Sequence, residues 1–125
     1  MMILRCLLAA FLLLMVWSSN ALALGDIVVV KIDGAINPVV AEFVTDEIGQ
    51  ANLSSAELVV IQMDTPGGLD TSMRQIIKVI QNSKIPVASF VSPGGSRAAS
   101  AGTFITIASH IAVMEPGTNI GAAHP

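Results

Sequence analysis

The sequence predicts an α/β protein with a mainly parallel sheet, and two observations support that fold class. Several short runs of Val, Ile and Ala are continuously apolar instead of alternating, which is typical of strands covered on both faces. Each run is followed by a turn and then by apolar residues at helical spacing, so strands and helices alternate along the chain. The 125 residues are enough for one domain and not for two.

The first strand-helix unit begins with residues 26–32, whose run Ile-Val-Val-Val predicts a central strand buried on both faces. A helix then begins at Asn37 and Pro38, because Asn is a good N-cap residue and Pro is accommodated at the first helical position. The apolar positions at helical spacing are Val40, Phe43, Val44 and Ile48. The acidic positions, interpreted as a solvated face, are Glu42, Asp46 and Glu47.

The second unit consists of a strand over residues 57–63, a turn, and a helix over residues 69–81. We expect Asp64 to end the strand by accepting hydrogen bonds from the turn that follows it. Within the turn, Gly67 and Gly68 allow two interpretations. They form an ordinary tight turn, or their backbone amides face a substrate oxygen as an oxyanion hole. The turn by itself leaves both interpretations open.

The third unit carries the residue on which the functional interpretation depends. A buried strand over residues 86–91 is followed by a Pro-Gly-Gly turn and by a helix predicted over residues 98–109, so Ser100 lies at a helix start. Unpaired backbone N–H groups and the positive end of the helix dipole favour an alkoxide or oxyanion there, as a nucleophile requires. The alternative is a serine that caps the helix.

After the Ser100 helix, the sequence predicts a fourth strand over residues 111–114 and an extended segment over residues 118–121. A Glu-Pro-Gly turn separates the two. His110, between the helix and the fourth strand, is expected to have a structural role.

The first 23 residues are typical of a secretory signal peptide. A basic start is followed by a short apolar stretch and by an Ala-x-Ala end at residues 21–23. The alternative is an uncleaved membrane anchor, although the apolar run is shorter than the roughly 20 residues that a span needs. Both interpretations predict an exported domain over residues 24–125. The only cysteine, Cys6, lies in this leader, so the domain has no thiol for disulfides, catalysis or metal binding.

The charge of the chain argues against a nucleic-acid partner. The formal net charge is -3, only 12% of residues are charged, and no basic stripe is present. The sequence also contains no motif that predicts a metal ion or a cofactor, and we expect neither.

Three segments in order resemble the NfeD family: residues 63–68 (MDTPGG), 97–103 (RAASAGT) and 114–122 (MEPGTNIGA). This family comprises exported, membrane-associated serine proteases of the Clp-protease and signal-peptide-peptidase class, often paired with stomatin-like proteins. The resemblance covers residues 27–125 and implies a Clp/crotonase-like fold that is incomplete at the C-terminus. It implies Ser100 as nucleophile and Gly67 and Gly68 as oxyanion hole. It also implies a homo-oligomer at the periplasmic or extracytoplasmic face of the membrane, acting on peptides or membrane proteins.

The resemblance further implies a lysine as general base, because a serine hydroxyl is a poor nucleophile without one. In the family this lysine follows the serine by roughly forty residues, which is outside this sequence. The three lysines that follow the leader do not match its position; they are Lys31, Lys78 and Lys84. A more distant resemblance to Clp peptidases makes His124, before Pro125, an alternative base. The alternative, which the lysine of the closer family favours, is that His124 is a polar residue at a strand end.

The leading hypothesis is therefore an exported serine endopeptidase domain that cleaves apolar segments of membrane-associated proteins. We expect little or no turnover from this segment alone, because the lysine is missing. The first alternative is a non-catalytic interaction module of the same fold. The second is a crotonase-type acyl-CoA enzyme, which the secretory leader disfavours.

Overall fold

The computed structural model describes residues 1–5 and 25–123, so most of the predicted leader lies outside the described residues. Strands and helices alternate between residues 25 and 123. The strands are β1 (Asp26–Asp33), β2 (Ala56–Asp64), β3 (Val87–Val91), β4 (Arg97–Ala99), β5 (Ile111–Met114) and β6 (Asn119–Gly121). The helices are α1 (Pro38–Ala51), α2 (Asp70–Gln81) and α3 (Ala101–Ala108). In the part of the chain that is described, no helix is both long and apolar enough to cross a bilayer.

The main sheet is parallel, as the sequence predicts. Its four strands have the order β1-β2-β3-β5, and every pairing between them is parallel. Met63 near the end of β2 is paired with both Ile32 of β1 and Val91 of β3, and Val91 is paired with Met114. The carboxyl ends of the four strands therefore meet at one edge, where the loops of an open α/β sheet form binding sites.

The core lies between one face of the sheet and the helices. The sheet contributes alternate residues that are almost fully buried, namely Val30, Ile32, Val59, Ile61, Met63, Val87 and Val91. The helices contribute Val44, Ile48, Ile76, Ile80 and Ile105. Burying each Val or Ile side chain stabilises the fold by about 1.5–3 kcal/mol, so this apolar layer fixes how the helices sit on the sheet.

The opposite face of the sheet differs from the prediction. Ile27 and Val29 of β1 are 61% and 62% exposed, and Ile111 and Val113 of β5 are also exposed. The expectation that the first strand is central and covered on both faces is wrong for the described residues. The strand lies at the edge of the sheet, and the described helices pack on the other face only.

The segment before Ser100 also differs from the prediction. The helix predicted from residue 98 begins at Ala101, and Arg97–Ala99 instead form β4, which pairs in parallel with β6. The strand also bonds to Thr65, whose N–H donates to the Arg97 carbonyl at 2.7 Å and whose carbonyl accepts from the Ala99 N–H at 3.1 Å. Arg and Ala are good helix formers, so these long-range bonds override the local preference of the segment. The other predicted bounds agree to within one residue.

Candidate active site

Ser100 occupies a sharp turn between β4 and α3. Its φ of 50° and ψ of -113° place a non-glycine residue in a region of backbone space that such residues rarely adopt. This conformation costs about 1–3 kcal/mol and persists only where the surrounding structure enforces it. The same strained strand-to-helix turn exposes the nucleophilic serine of hydrolases. Ser100 is likewise exposed.

The backbone of Ser100 is held on both sides, whereas its hydroxyl is not. The Ser100 N–H donates to the Gly121 carbonyl at 3.1 Å, and the Ser100 carbonyl accepts from the Thr103 N–H at 2.9 Å. The hydroxyl makes no capping hydrogen bond to α3, and within residues 25–123 it has no hydrogen-bond partner at all. The alternative interpretation of Ser100 as a capping serine is therefore wrong.

The turn that contains the glycine pair lies directly against Ser100. Gly67 has a φ of +109°, and a Cβ placed on it would be 2.8 Å from the Ser100 Cβ and 3.3 Å from the Ser100 Oγ. The same Cβ would be 3.0 Å from the Ala99 carbonyl oxygen. Only glycine fits here, because any side chain would displace the serine. The structure thus brings together the two sequence features that were predicted to form one site.

The two glycine amides have different surroundings. The Gly67 N–H already donates to the Thr65 hydroxyl at 3.1 Å. Ile36 bonds to both residues flanking Gly68: its N–H donates to the Gly67 carbonyl at 2.8 Å, and its carbonyl accepts from the Leu69 N–H at 2.9 Å. In parallel pairing of this kind, the N–H and carbonyl of Gly68 itself point away from Ile36. Among the described residues the exposed Gly68 amide meets no acceptor, so it is better placed than that of Gly67 to hold an oxyanion.

A second suitable amide belongs to Ala101, which the sequence analysis did not single out. Ala101 is the first residue of α3, and the first N–H groups of a helix have no acceptor inside the helix. In strand-turn-helix hydrolases the residue after the nucleophile supplies one oxyanion donor. The signal was present in the sequence, because a serine predicted at a helix start places the next amide at the free end of that helix.

Thr65 holds the glycine turn in this shape. The side chain is fully buried, and its hydroxyl accepts from the Gly67 N–H at 3.1 Å and donates to the Gly67 carbonyl at 3.3 Å. We expect Thr65→Val to destabilise the protein by about 1–3 kcal/mol, because the isosteric side chain leaves a buried amide unpaired. Any peptide turnover by the full-length protein should fall as well, because the Thr65 hydroxyl no longer holds the glycine turn in place.

Urea titration of the Thr65→Val variant, together with an assay of peptide turnover, checks this expectation. Thr65→Ser is the matched control, since it keeps the hydroxyl and should retain most of the activity. A valine variant as stable and as active as the wild type would show that the hydrogen bond is unimportant.

The remaining candidate residues are placed elsewhere. The Asp64 carboxylate accepts from the Arg97 N–H at 3.0 Å and so anchors β4, and the His110 Nδ1 accepts from the Val87 N–H at 3.1 Å. The role of His110 is structural, as predicted. Asp64 does end β2, but its carboxylate bonds to Arg97 and not to the turn that follows it, so the predicted hydrogen bond is wrong. Lys31 pairs with Asp33 at 3.2 Å on the surface. In residues 25–123 no base is hydrogen-bonded to Ser100, and His124 lies outside the described residues, so its assignment stays a prediction.

These features define the class of the protein, which is an α/β protein of Clp-like fold. A solved structure of the 1510-N membrane-bound stomatin-specific protease, a serine-to-alanine mutant, superimposes with a TM-score of 0.80 at 42% identity, over 83% of this chain and 50% of that one. ClpP1 from Listeria monocytogenes superimposes with a TM-score of 0.64 at 26% identity, over 72% of this chain and 52% of that one. The predicted fold class is confirmed.

The chain belongs to the NfeD1b N-terminal domain family, whose profile matches residues 26–125. It is 40% identical over 121 residues to the membrane-bound protease PH1510 of Pyrococcus horikoshii, which covers 97% of this chain and 27% of that protein. It is 33% identical over 95 residues to the membrane protein NfeD1b of Bacillus subtilis, covering 76% of this chain and 21% of that protein. The chain thus spans about a quarter of these relatives and half of the solved protease chain.

Proposed function

We propose that this domain is the nucleophile-bearing part of a serine peptidase. The observation that carries the proposal is the strained, exposed Ser100, whose hydroxyl has no hydrogen-bond partner among the described residues and lies against the glycine turn. A structural serine has no need of a backbone conformation that costs about 1–3 kcal/mol. The amides of Gly68 and Ala101 support the same proposal, because neither has an acceptor among the described residues. The first follows the glycine that lies against Ser100, and the second follows Ser100 itself.

In the proposed reaction, the Ser100 Oγ gives its proton to a general base and forms a bond to the carbonyl carbon of a peptide. The carbonyl electron pair moves onto oxygen, and the Gly68 and Ala101 amides hold the resulting oxyanion. The carbonyl then re-forms and the C–N bond breaks, as the protonated base gives its proton to the leaving amine. The acyl part of the peptide stays on Ser100 as an ester. Water repeats the attack on this ester, with the same base accepting its proton, and releases the acid.

The base in this proposal is a lysine from a part of the protein outside the described residues. A lysine can act in this way only if burial lowers its pKa so that the neutral amine is present. Support comes from the related 1510-N protease, for which a lysine-to-alanine mutant has been solved in complex with a substrate peptide. That structure matches this chain with a TM-score of 0.78 at 43% identity.

The proposed substrates are apolar segments of membrane-associated proteins of the stomatin type, met at the extracytoplasmic face. The related protease is membrane-bound and specific for a stomatin homologue. Within this chain, the Gly68 carbonyl points away from Ile36 and offers an acceptor to an extended peptide, while the Gly68 N–H holds the oxyanion. The exposed side chain of Leu69, 53% accessible, adds apolar surface next to it.

A fluorophosphonate probe on the full-length protein tests the proposal, because it reacts only with an activated serine. We expect one adduct, located on Ser100 by mass spectrometry, and we expect Ser100→Ala to lose both labelling and peptide cleavage. Cleavage should fall by about 10³-fold or more, as for other removed nucleophiles. Ser55→Ala, which removes an exposed hydroxyl at the other end of the sheet, is the control. Cleavage that survives in Ser100→Ala would reject the proposal.

A further inference from the structure

An open groove of about 470 Å³ runs along α2, with Phe104 of α3 on its other side. Its residues fall into an apolar floor and a polar rim. The floor consists of Met73, Ile77 and Phe104, and the rim consists of Asp70, Arg74, Lys78 and Gln81. None of these side chains takes part in the proposed reaction.

Two groove residues, Phe104 and Asp70, are close in sequence to the candidate active site. Phe104 follows Ser100 by four residues, which is about 6 Å along the axis of α3. A helical side chain leans towards the N-terminus of its helix, so the side chain of Phe104 leans from the groove towards the Ser100 end of α3. On the other wall, Asp70 follows Gly68 by two residues. An extended peptide advances about 3.3 Å per residue, so the groove begins two or three residues from the scissile bond.

The charges along the rim differ between its two ends. Near the active site, the Arg74 guanidinium donates to the Asp70 carboxylate at 2.8 Å, and this hydrogen bond raises the pKa of Arg74. The two charges neutralise each other there. Lys78, one turn farther along α2, adds a positive charge that no acidic residue of the groove lining balances. The rim is therefore neutral in net charge close to Ser100 and positive at its distal end.

We propose that this groove binds an apolar side chain of the peptide substrate, two or three residues from the scissile bond, and that Lys78 favours an acidic residue beyond it. The inference rests on the proposed peptidase function. The volume accommodates a leucine or phenylalanine side chain, and Met73, Ile77 and Phe104 remove it from water. A groove of this kind discriminates large from small apolar side chains by about tenfold or more in kcat/KM.

A series of peptides tests the proposal on the full-length protein. In this series the residue two or three positions from the scissile bond is varied between Ala, Leu and Phe. We expect the wild type to prefer Leu and Phe over Ala, and Phe104→Ala to lose about tenfold of that preference. Ile77→Trp, which fills the groove instead of emptying it, should exclude the large side chains and spare the Ala peptide. Ile107→Ala is the matched control, because Ile107 is on α3 but 71% exposed and outside the groove.

The exposed Lys78 gives a variant with little risk to folding. Lys78→Gln should remove the preference for an acidic distal residue and leave the preference for Leu and Phe intact. The proposal is overturned if the side-chain preference is the same in the wild type, Phe104→Ala and Ile77→Trp.

Labelling by the small fluorophosphonate distinguishes a failure of the groove proposal from a failure of the peptidase proposal, since this probe does not reach the groove. Equal labelling of Ser100 with unchanged peptide preferences would reject the groove and leave the peptidase proposal standing. A wild type that neither labels nor cleaves would reject both.

Discussion

Ser100→Gly is expected to stabilise the protein and, if the proposed function is right, to abolish peptide cleavage by the full-length protein. Glycine adopts a positive φ without the steric cost that Ser100 bears at 50°. Relief of that strain is worth about 1–3 kcal/mol, against a loss of about 0.5–1 kcal/mol for the greater freedom of glycine in the unfolded chain. We therefore expect the free energy of unfolding to rise by about 1 kcal/mol.

Two controls separate strain from the loss of the hydroxyl. Ser100→Ala removes the nucleophile but keeps a Cβ, so it should be inactive and no more stable than the wild type. Ala112→Gly changes an exposed residue in regular strand conformation and should cost about 0.5–1 kcal/mol. Urea denaturation of the three variants measures the differences. If Ser100→Gly is destabilised as much as Ala112→Gly, the serine is not strained, and the main support for its catalytic role is lost.

Much of the fold was accessible from the sequence because it depends on local patterns. The uninterrupted apolar run in β2 and the helical spacing of Met73, Ile76 and Ile80 in α2 each predict one element with its approximate bounds. The proximity of Ser100 to the glycine turn was also predictable. Both follow parallel strands, β2 and β3, and the carboxyl ends of such strands meet at one edge.

What the sequence did not predict depends on partners far away along the chain. β4 forms because Thr65 and β6 bond to both sides of a segment, Arg97–Ala99, whose own preference is for helix. The choice between the Gly67 and Gly68 amides also depends on distant contacts. The Thr65 hydroxyl occupies the Gly67 amide, and pairing with Ile36 turns the Gly68 amide outward. The exposed face of β1 depends on its place in the strand order, which local apolarity does not reveal.

Gly68→Ala is expected to have the second large effect, on stability and catalysis together. A Cβ on Gly68 would approach the backbone of Ile36, within 2.6 Å of both its nitrogen and its carbonyl carbon. Backbone atoms cannot move aside as a flexible side chain can, so the pairing between Ile36 and the turn must open. Overpacking of this kind costs about 1–3 kcal/mol, and displacement of an oxyanion donor lowers kcat by about 10²–10³-fold.

Gly49→Ala provides the matched control, because it makes the same chemical change where there is space. Gly49 lies within α1, and a Cβ there would meet nothing within 4 Å. That variant should be fully active and more stable by about 0.5–1 kcal/mol, since alanine favours helix. Gly68→Ala should therefore lower both the free energy of unfolding and kcat. Gly49→Ala should raise the free energy of unfolding and leave kcat unchanged. A Gly68→Ala protein that keeps wild-type kcat would show that the oxyanion is held elsewhere, even if its stability falls as expected.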